Sequence, residues 1–148
     1  MNASTDDRGL VGGAEALIVV IPMMLVAVLL ITELWGALDA RAAVSEAARE
    51  GARAYVEATS ARSARDEALA AATASLVQHG RQGTIDSLAT TGFGRCQRVE
   101  ISVHTQVPRV RLFGLNSGGS YTITAHHSEL VDPYRSATGL EGAVSCAQ

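Results

Sequence analysis

The stretch Ala14–Leu38, AEALIVVIPMMLVAVLLITELWGAL, decides the architecture of this chain. Between Glu15 and Glu33 it carries no charged residue. As an α-helix rising about 1.5 Å per residue, the charge-free part covers about 25 Å, and continuing through Trp35 to Leu38 takes it past about 30 Å, the thickness of a bilayer's hydrocarbon core. Its Leu, Ile and Val residues each favour insertion by about 0.3–0.6 kcal/mol, about 5 kcal/mol together. A soluble core helix of this length shows a polar stripe toward water, and none is present. The reading is a single membrane-spanning helix that carries the rest of the chain. Pro22 is tolerable in such a span, because neighbouring groups take up the carbonyl it frees, and it predicts a modest kink over residues 18–22. Thr32, Glu33 and Trp35 mark one interface, where a tryptophan ring is favoured.

Upstream, residues 1–13 (MNASTDDRGLVGG) are polar, short and rich in turn formers, which predicts a disordered leader. A secretory signal peptide is the alternative to test. It calls for a positive first region and an apolar core of about 7–15 residues before a small-x-small cleavage site. Here Arg8 faces Asp6 and Asp7, and the apolar run is longer, although Ala40-Arg41-Ala42 is a passable cleavage triplet.

The whole chain has 148 residues and a formal charge of −3, with every basic residue except histidine an arginine. That charge is too small, and the arginines too scattered, to imply a nucleic-acid partner or an acidic small-molecule substrate. About 110 residues remain after Leu38, enough for one small core that a covalent staple would help. Cys96 and Cys146, fifty positions apart, are a candidate disulfide if that part lies outside the cytoplasm; the alternative is two unpaired thiols.

Beyond Leu38 the helical period continues. Val44, Ala47, Ala48, Gly51 and Tyr55 recur at three- and four-residue spacing, with Arg41, Glu46, Arg49, Glu50, Arg53 and Glu57 on the other face. The span therefore extends as a stalk over residues 39–58. Ala43, Ala47, Ala48, Gly51 and Ala54 are small enough for another helix or a sheet to approach closely, although alanine also serves helix propensity alone. Ser63, followed by Asp66 and Glu67, predicts a second helix with Leu69, Ala72, Leu76 and Val77 as a narrow apolar face, closed by His79-Gly80. Residues 80–94 read as a loop in which Ile85, Leu88 and Phe93 still need burial.

The period then switches from 3.6 to 2. Val99, Ile101, Val103, Thr105 and Val107 alternate with polar residues up to Pro108, and Tyr121, Ile123 and Ala125 alternate with Thr122, Thr124 and His126 after the turn cluster 116–119. Two such strands form an antiparallel pair whose apolar face a helix must cover. The fold class is thus α+β: leader 1–13, transmembrane helix 14–38, stalk 39–58, and a small head over 59–148 that ends in an irregular tail.

Catalytic chemistry is not visible. His79, His104, His126 and His127 lack the i, i+4 or paired-cysteine spacing of zinc sites, and His126 and His127 point to opposite strand faces. No phosphate loop, dinucleotide fingerprint or nucleophile elbow occurs, so neither an enzyme nor a cofactor is expected. Glu33 reads as an interfacial carboxylate. Glu15, just after Gly12-Gly13 at the start of the apolar run, could instead pair with the amino terminus of a neighbouring subunit.

Arg8-Gly9, then Gly12-Gly13-Ala14-Glu15 opening an apolar helix with Pro22, then Ala47-Ala48-Arg49-Glu50-Gly51-Ala52-Arg53-Ala54, resemble the TadE-like family of pilus-assembly pseudopilins. The run His127–Ser136, HSELVDPYRS, is similar to the end of the small β-rich head in actinobacterial members. The resemblance implies a pilin-like fold and a minor component of a tight-adherence (Flp-type) pilus system, inserted in the membrane with its head outside. Implied partners are membrane lipid, other pilin-like subunits and the assembly platform. It also implies processing or assembly determinants at Gly9, Leu10, Gly12, Gly13 and Glu15, and a packing motif at Ala47, Ala48, Arg49, Glu50, Gly51, Ala52 and Arg53. Family processing places a glycine just before the cut and glutamate at the fifth mature position. Here the residue five before Glu15 is Leu10, and Gly9 is one place too early. Arg41, Arg49 and Arg53 mildly favour a cytoplasmic C-terminal part, but long domains translocate with little regard to such charges, and the cysteine pair favours an oxidising side. The reading from a different class is a single-pass, membrane-tethered binding module unrelated to pili.

Overall fold

The computed structural model describes residues 8–108, 119–136 and 146, with side chains from Glu15 onward. The order of elements is α1 (Arg8–Glu57), α2 (Ala61–Gln78), β1 (Gly83–Thr90), β2 (Arg98–Pro108) and β3 (Ser120–Leu130). The molecule has the α+β architecture expected from the sequence, with a three-stranded antiparallel sheet in the order β1-β2-β3. It divides into two units, residues 1–35 and residues 36–148.

In the first unit α1 begins at Arg8, ahead of Ala14, where the apolar run led us to start it. The helix is uninterrupted through Pro22. From Leu17 to Trp35 its large apolar side chains are exposed, apart from the half-buried Leu29; Ile18, Met23 and Trp35 each keep more than 70% of their surface open. Among the described residues this is the one helix long and apolar enough to cross a membrane. The Thr32 hydroxyl donates to the Leu29 carbonyl at 2.8 Å, so that polar group is satisfied within its own helix.

The second unit is where burial occurs. The rest of α1 buries Ala40, Ala43, Val44, Ala47, Ala48, Ala52, Tyr55 and Val56, the three-and-four spacing of a core-facing stripe. α2 starts with Ser60 as its cap, the hydroxyl accepting from the Ser63 amide at 3.3 Å. This corrects the expected start at Ser63, whose own hydroxyl bonds back to the Ser60 carbonyl. The buried face of α2 keeps Ala72 and Leu76 of the expected one but not Leu69 and Val77. Ala64, Ala68, Ala72 and Leu76, four apart, point inward, while Leu69 is half-buried and Val77 is 66% exposed. Methyl-sized side chains allow α2 to lie close to its neighbours, so the alanines form the contact and the larger residues flank it. His79 and Gly80 do close the helix. Gly80, at φ +64°, donates to the Val77 carbonyl and Arg81 to the Leu76 carbonyl, a Schellman turn that a glycine fits without Cβ strain.

The region 80–94 contains β1, which corrects the loop expected there. Its pairing with β2 runs Ile85↔Val103, then Ser87↔Ser102 and Leu88↔Ile101, so Asp86 is an extra, bulged residue. The bulge puts Ile85 and Leu88 on the same face although they are three apart. β2 is the central strand, with Val99, Ile101, Val103, Thr105 and Val107 buried. β3 pairs with it along its whole length, from Arg98↔Leu130 to Pro108↔Ser120. The core joins α1, α2 and β2, with Ile85, Leu88, Phe93, Ile123 and Ala125 packed at its margin. Tyr55 meets Phe93 edge to face at 5.9 Å and its hydroxyl bonds the Thr90 hydroxyl.

The segment after β3 is stitched to the end of this core where α1 stops and β2 begins. Val131, fully buried, exchanges backbone bonds with Cys96 and Gln97. Cys96, at φ +64°, is joined to Cys146 by a disulfide with the two Cα atoms 5.2 Å apart. The Arg135 guanidinium donates to the Ala58 carbonyl at the end of α1, and the Arg95 Nε donates to the Arg135 carbonyl. The expected residues 110–118 and most of the tail beyond Ser136 lie outside the described residues.

Candidate functional site

Two places collect the residues singled out from the sequence: the TadE-like pattern on α1, and the histidines on the sheet. Gly9, Leu10, Gly12 and Gly13 lie in the first turns of α1, and Glu15 is exposed there.

The Ala47–Ala54 motif splits by face. Ala47, Ala48, Gly51 and Ala52 are buried within the second unit, whereas Arg49 and Arg53 are exposed and Glu50 is half-buried. Gly51 marks the tightest point. A β-carbon built there would stand 3.1 Å from the Ala68 carbonyl of α2, the Ala72 methyl and the Ile101 side chain of β2. The close approach that small residues permit is therefore made from within the chain, by α2 and the sheet together. The charged half of the motif faces outward, with Arg53 Nε 2.8 Å from the Glu57 carboxylate, a pair exposed on both sides and screened by solvent.

His104 and His126 lie on the outer, polar face of the sheet, whereas His127, opposite Ile101 in the register, lies on the other face. The Ser102 hydroxyl lies 2.6 Å from His126 Nδ1, and the Glu100 carboxylate is 4.0 Å from that same nitrogen. A catalytic relay needs the nucleophile and the orienting carboxylate on opposite nitrogens of the ring, so this grouping does not build one. His104 contacts Asp86, the bulged residue of β1. Among the described residues no group of three or more histidine, cysteine or acidic side chains is placed to hold a metal ion.

With this geometry in place, comparison with known families is informative. Residues 16–53 match the family model of TadE-like proteins. That segment is similar to TadE-like proteins. No curated protein and no solved structure matches it. The TadE-like segment runs from the start of the apolar helix to Arg53, the end of the charged motif, and so takes in both the exposed apolar surface and the buried small-residue face.

Three contacts of this region are absent from the sequence reading. Arg81 donates through Nη2 to the Asp39 carboxylate at 2.6 Å and to the Gly36 carbonyl at 3.3 Å, fixing the turn after α2 to the stretch of α1 just past Trp35. Arg135 and Ala58 do the same at the far end of α1. His104 and Asp86 are the third. Each joins residues on different elements and has no local pattern in the sequence.

Proposed function

We propose that this protein is a membrane-anchored minor pseudopilin that takes part in assembly of a tight-adherence (Tad/Flp-type) pilus. The observation that carries the reading is the coincidence of the TadE-like match over residues 16–53 with a helix whose first half is apolar and exposed. Exposed apolar surface on that scale is unstable in water and is accounted for by lipid and by other apolar helices. The head stands outside the cytoplasm, a placement supported by the Cys96–Cys146 disulfide, since such bonds persist on oxidising sides. Its partners are membrane lipid, other pilin-like subunits and the assembly platform. With Ala47, Ala48, Gly51 and Ala52 occupied inside the head, subunit packing falls to residues 16–35, with Glu15 at the outset as a charge that a neighbouring amino terminus compensates. Gly9 does not stand where family processing expects its glycine, which supports an anchor that keeps its leader. The test is deletion of the gene with complementation. Surface pili should be lost and restored by the intact chain, but not by a chain in which Val20, Val26 and Leu30 are changed to asparagine. Normal piliation of the deletion strain would refute the proposal.

A further inference from the structure

Past Leu38, three large apolar side chains stand exposed among the described residues: Val77, Leu130 and Tyr134. Single exposed apolar residues are ordinary, and only position can give one meaning. Val77 lies in the last turn of α2, which the Schellman closure ties directly to Arg81. Arg81 in turn holds Asp39 at 2.6 Å and the Gly36 carbonyl at 3.3 Å. Gly36 follows Trp35, the aromatic residue at the end of the apolar run, so chain continuity puts residues 36–39 at headgroup level when residues 16–35 lie in hydrocarbon. A guanidinium bonded to those residues brings its own turn to the same level. Leu130 and Tyr134 belong elsewhere, on the segment whose Arg135 bonds Ala58, about 28 Å further along α1 from Asp39 at about 1.5 Å per residue.

We propose that the turn from Val77 to Gln82 rests on the phospholipid surface. Val77 enters the boundary between headgroups and acyl chains, while Arg41, exposed on the next turn of α1, and His79 face the lipid phosphates. Asp39 is occupied by Arg81 and so presents little repulsion to them. The α2–β1 turn is thereby a second lipid contact of the head, beside residues 36–39 of α1. The inference rests on the membrane-spanning reading of residues 16–35, and its test separates the two.

Nitroxide labels are placed singly at Leu34→Cys, Val77→Cys and Tyr134→Cys in the full chain, keeping the Cys96–Cys146 bond. The protein is reconstituted in nanodiscs of phosphatidylcholine and phosphatidylglycerol, and accessibility to oxygen and to a water-soluble nickel chelate is read by power saturation. Position 34 should show the lipid signature, and position 77 an oxygen-to-nickel ratio several-fold above that at 134. Arg81→Ala should lower the ratio at 77 toward that at 134, because the turn is then released. If 34 is in lipid while 77 matches 134, the span stands and the seated turn is refuted. If 34 itself is aqueous, the membrane reading falls and this inference with it. Loss of access to both reagents at 77, with dipolar broadening between copies, would place a second copy there and would also overturn it.

Discussion

Replacing Gly51 by valine should unfold the head at markedly lower temperature, and the structure gives the size of the effect. A β-carbon at this position already stands 3.1 Å from the Ala68 carbonyl, the Ala72 methyl and the Ile101 side chain. Alanine adds only that atom. Its gain of about 1 kcal/mol in helix propensity over glycine offsets the compression, and Gly51→Ala should be within about 1 kcal/mol of the parent. Valine drives two further methyl groups into the same three contacts. Ile101 is fully buried, and the Ala68 carbonyl is fixed by the backbone of α2, so neither yields by a rotamer change. The cost falls at the upper end of overpacking, about 3 kcal/mol. At about 4 °C per kcal/mol for a unit of this size, Gly51→Val lowers Tm by about 12 °C. The assay is near-ultraviolet circular dichroism of the full chain in detergent micelles, reporting on the tyrosines of the head as it is heated. A valine variant melting with the parent would refute the close seam between α1, α2 and β2.

Further outcomes follow from the same contacts. Changing both Cys96 and Cys146 to serine opens a loop of 50 residues and should cost about 4 kcal/mol in the chain-entropy account, read as an earlier denaturant midpoint. Ser60→Ala removes the cap of α2 and should cost about 1 kcal/mol in the same titration, with Ser60→Asp restoring most of it. Arg135→Ala leaves the Ala58 carbonyl without its guanidinium donor and should cost about 1 kcal/mol, with faster hydrogen exchange confined to the end of α1 and the segment around Val131.

How much of this was legible in sequence depended on the element. The apolar run needed only hydropathy and length, and the alternation of residues 99–107 announced β2 because one face is buried along its whole length. β1 was hidden by its own bulge. With Asp86 extra, Ile85 and Leu88 stand three apart and match neither a strand nor a helix period. α2 was legible as a helix and in Ala72 and Leu76 of its inward face, but the rest of that face is alanine, which hydropathy weighs lightly against Leu69 and Val77. In the Ala47–Ala54 motif the small residues announced a close approach, and the structure supplies its partners from the same chain. The Arg81 and Arg135 bonds to helix α1 could not be read at all, since each depends on where the fold brings distant residues.

Residues 16–38 remain with the head as a lipid-embedded anchor. Intact-mass analysis of carbonate-washed membranes and of the matching soluble fraction decides this. The expected result is a membrane-bound species whose mass retains residues 16–38, whether or not residues before Glu15 are removed. A soluble species beginning near Ala43, with nothing retained in the membrane, would contradict it.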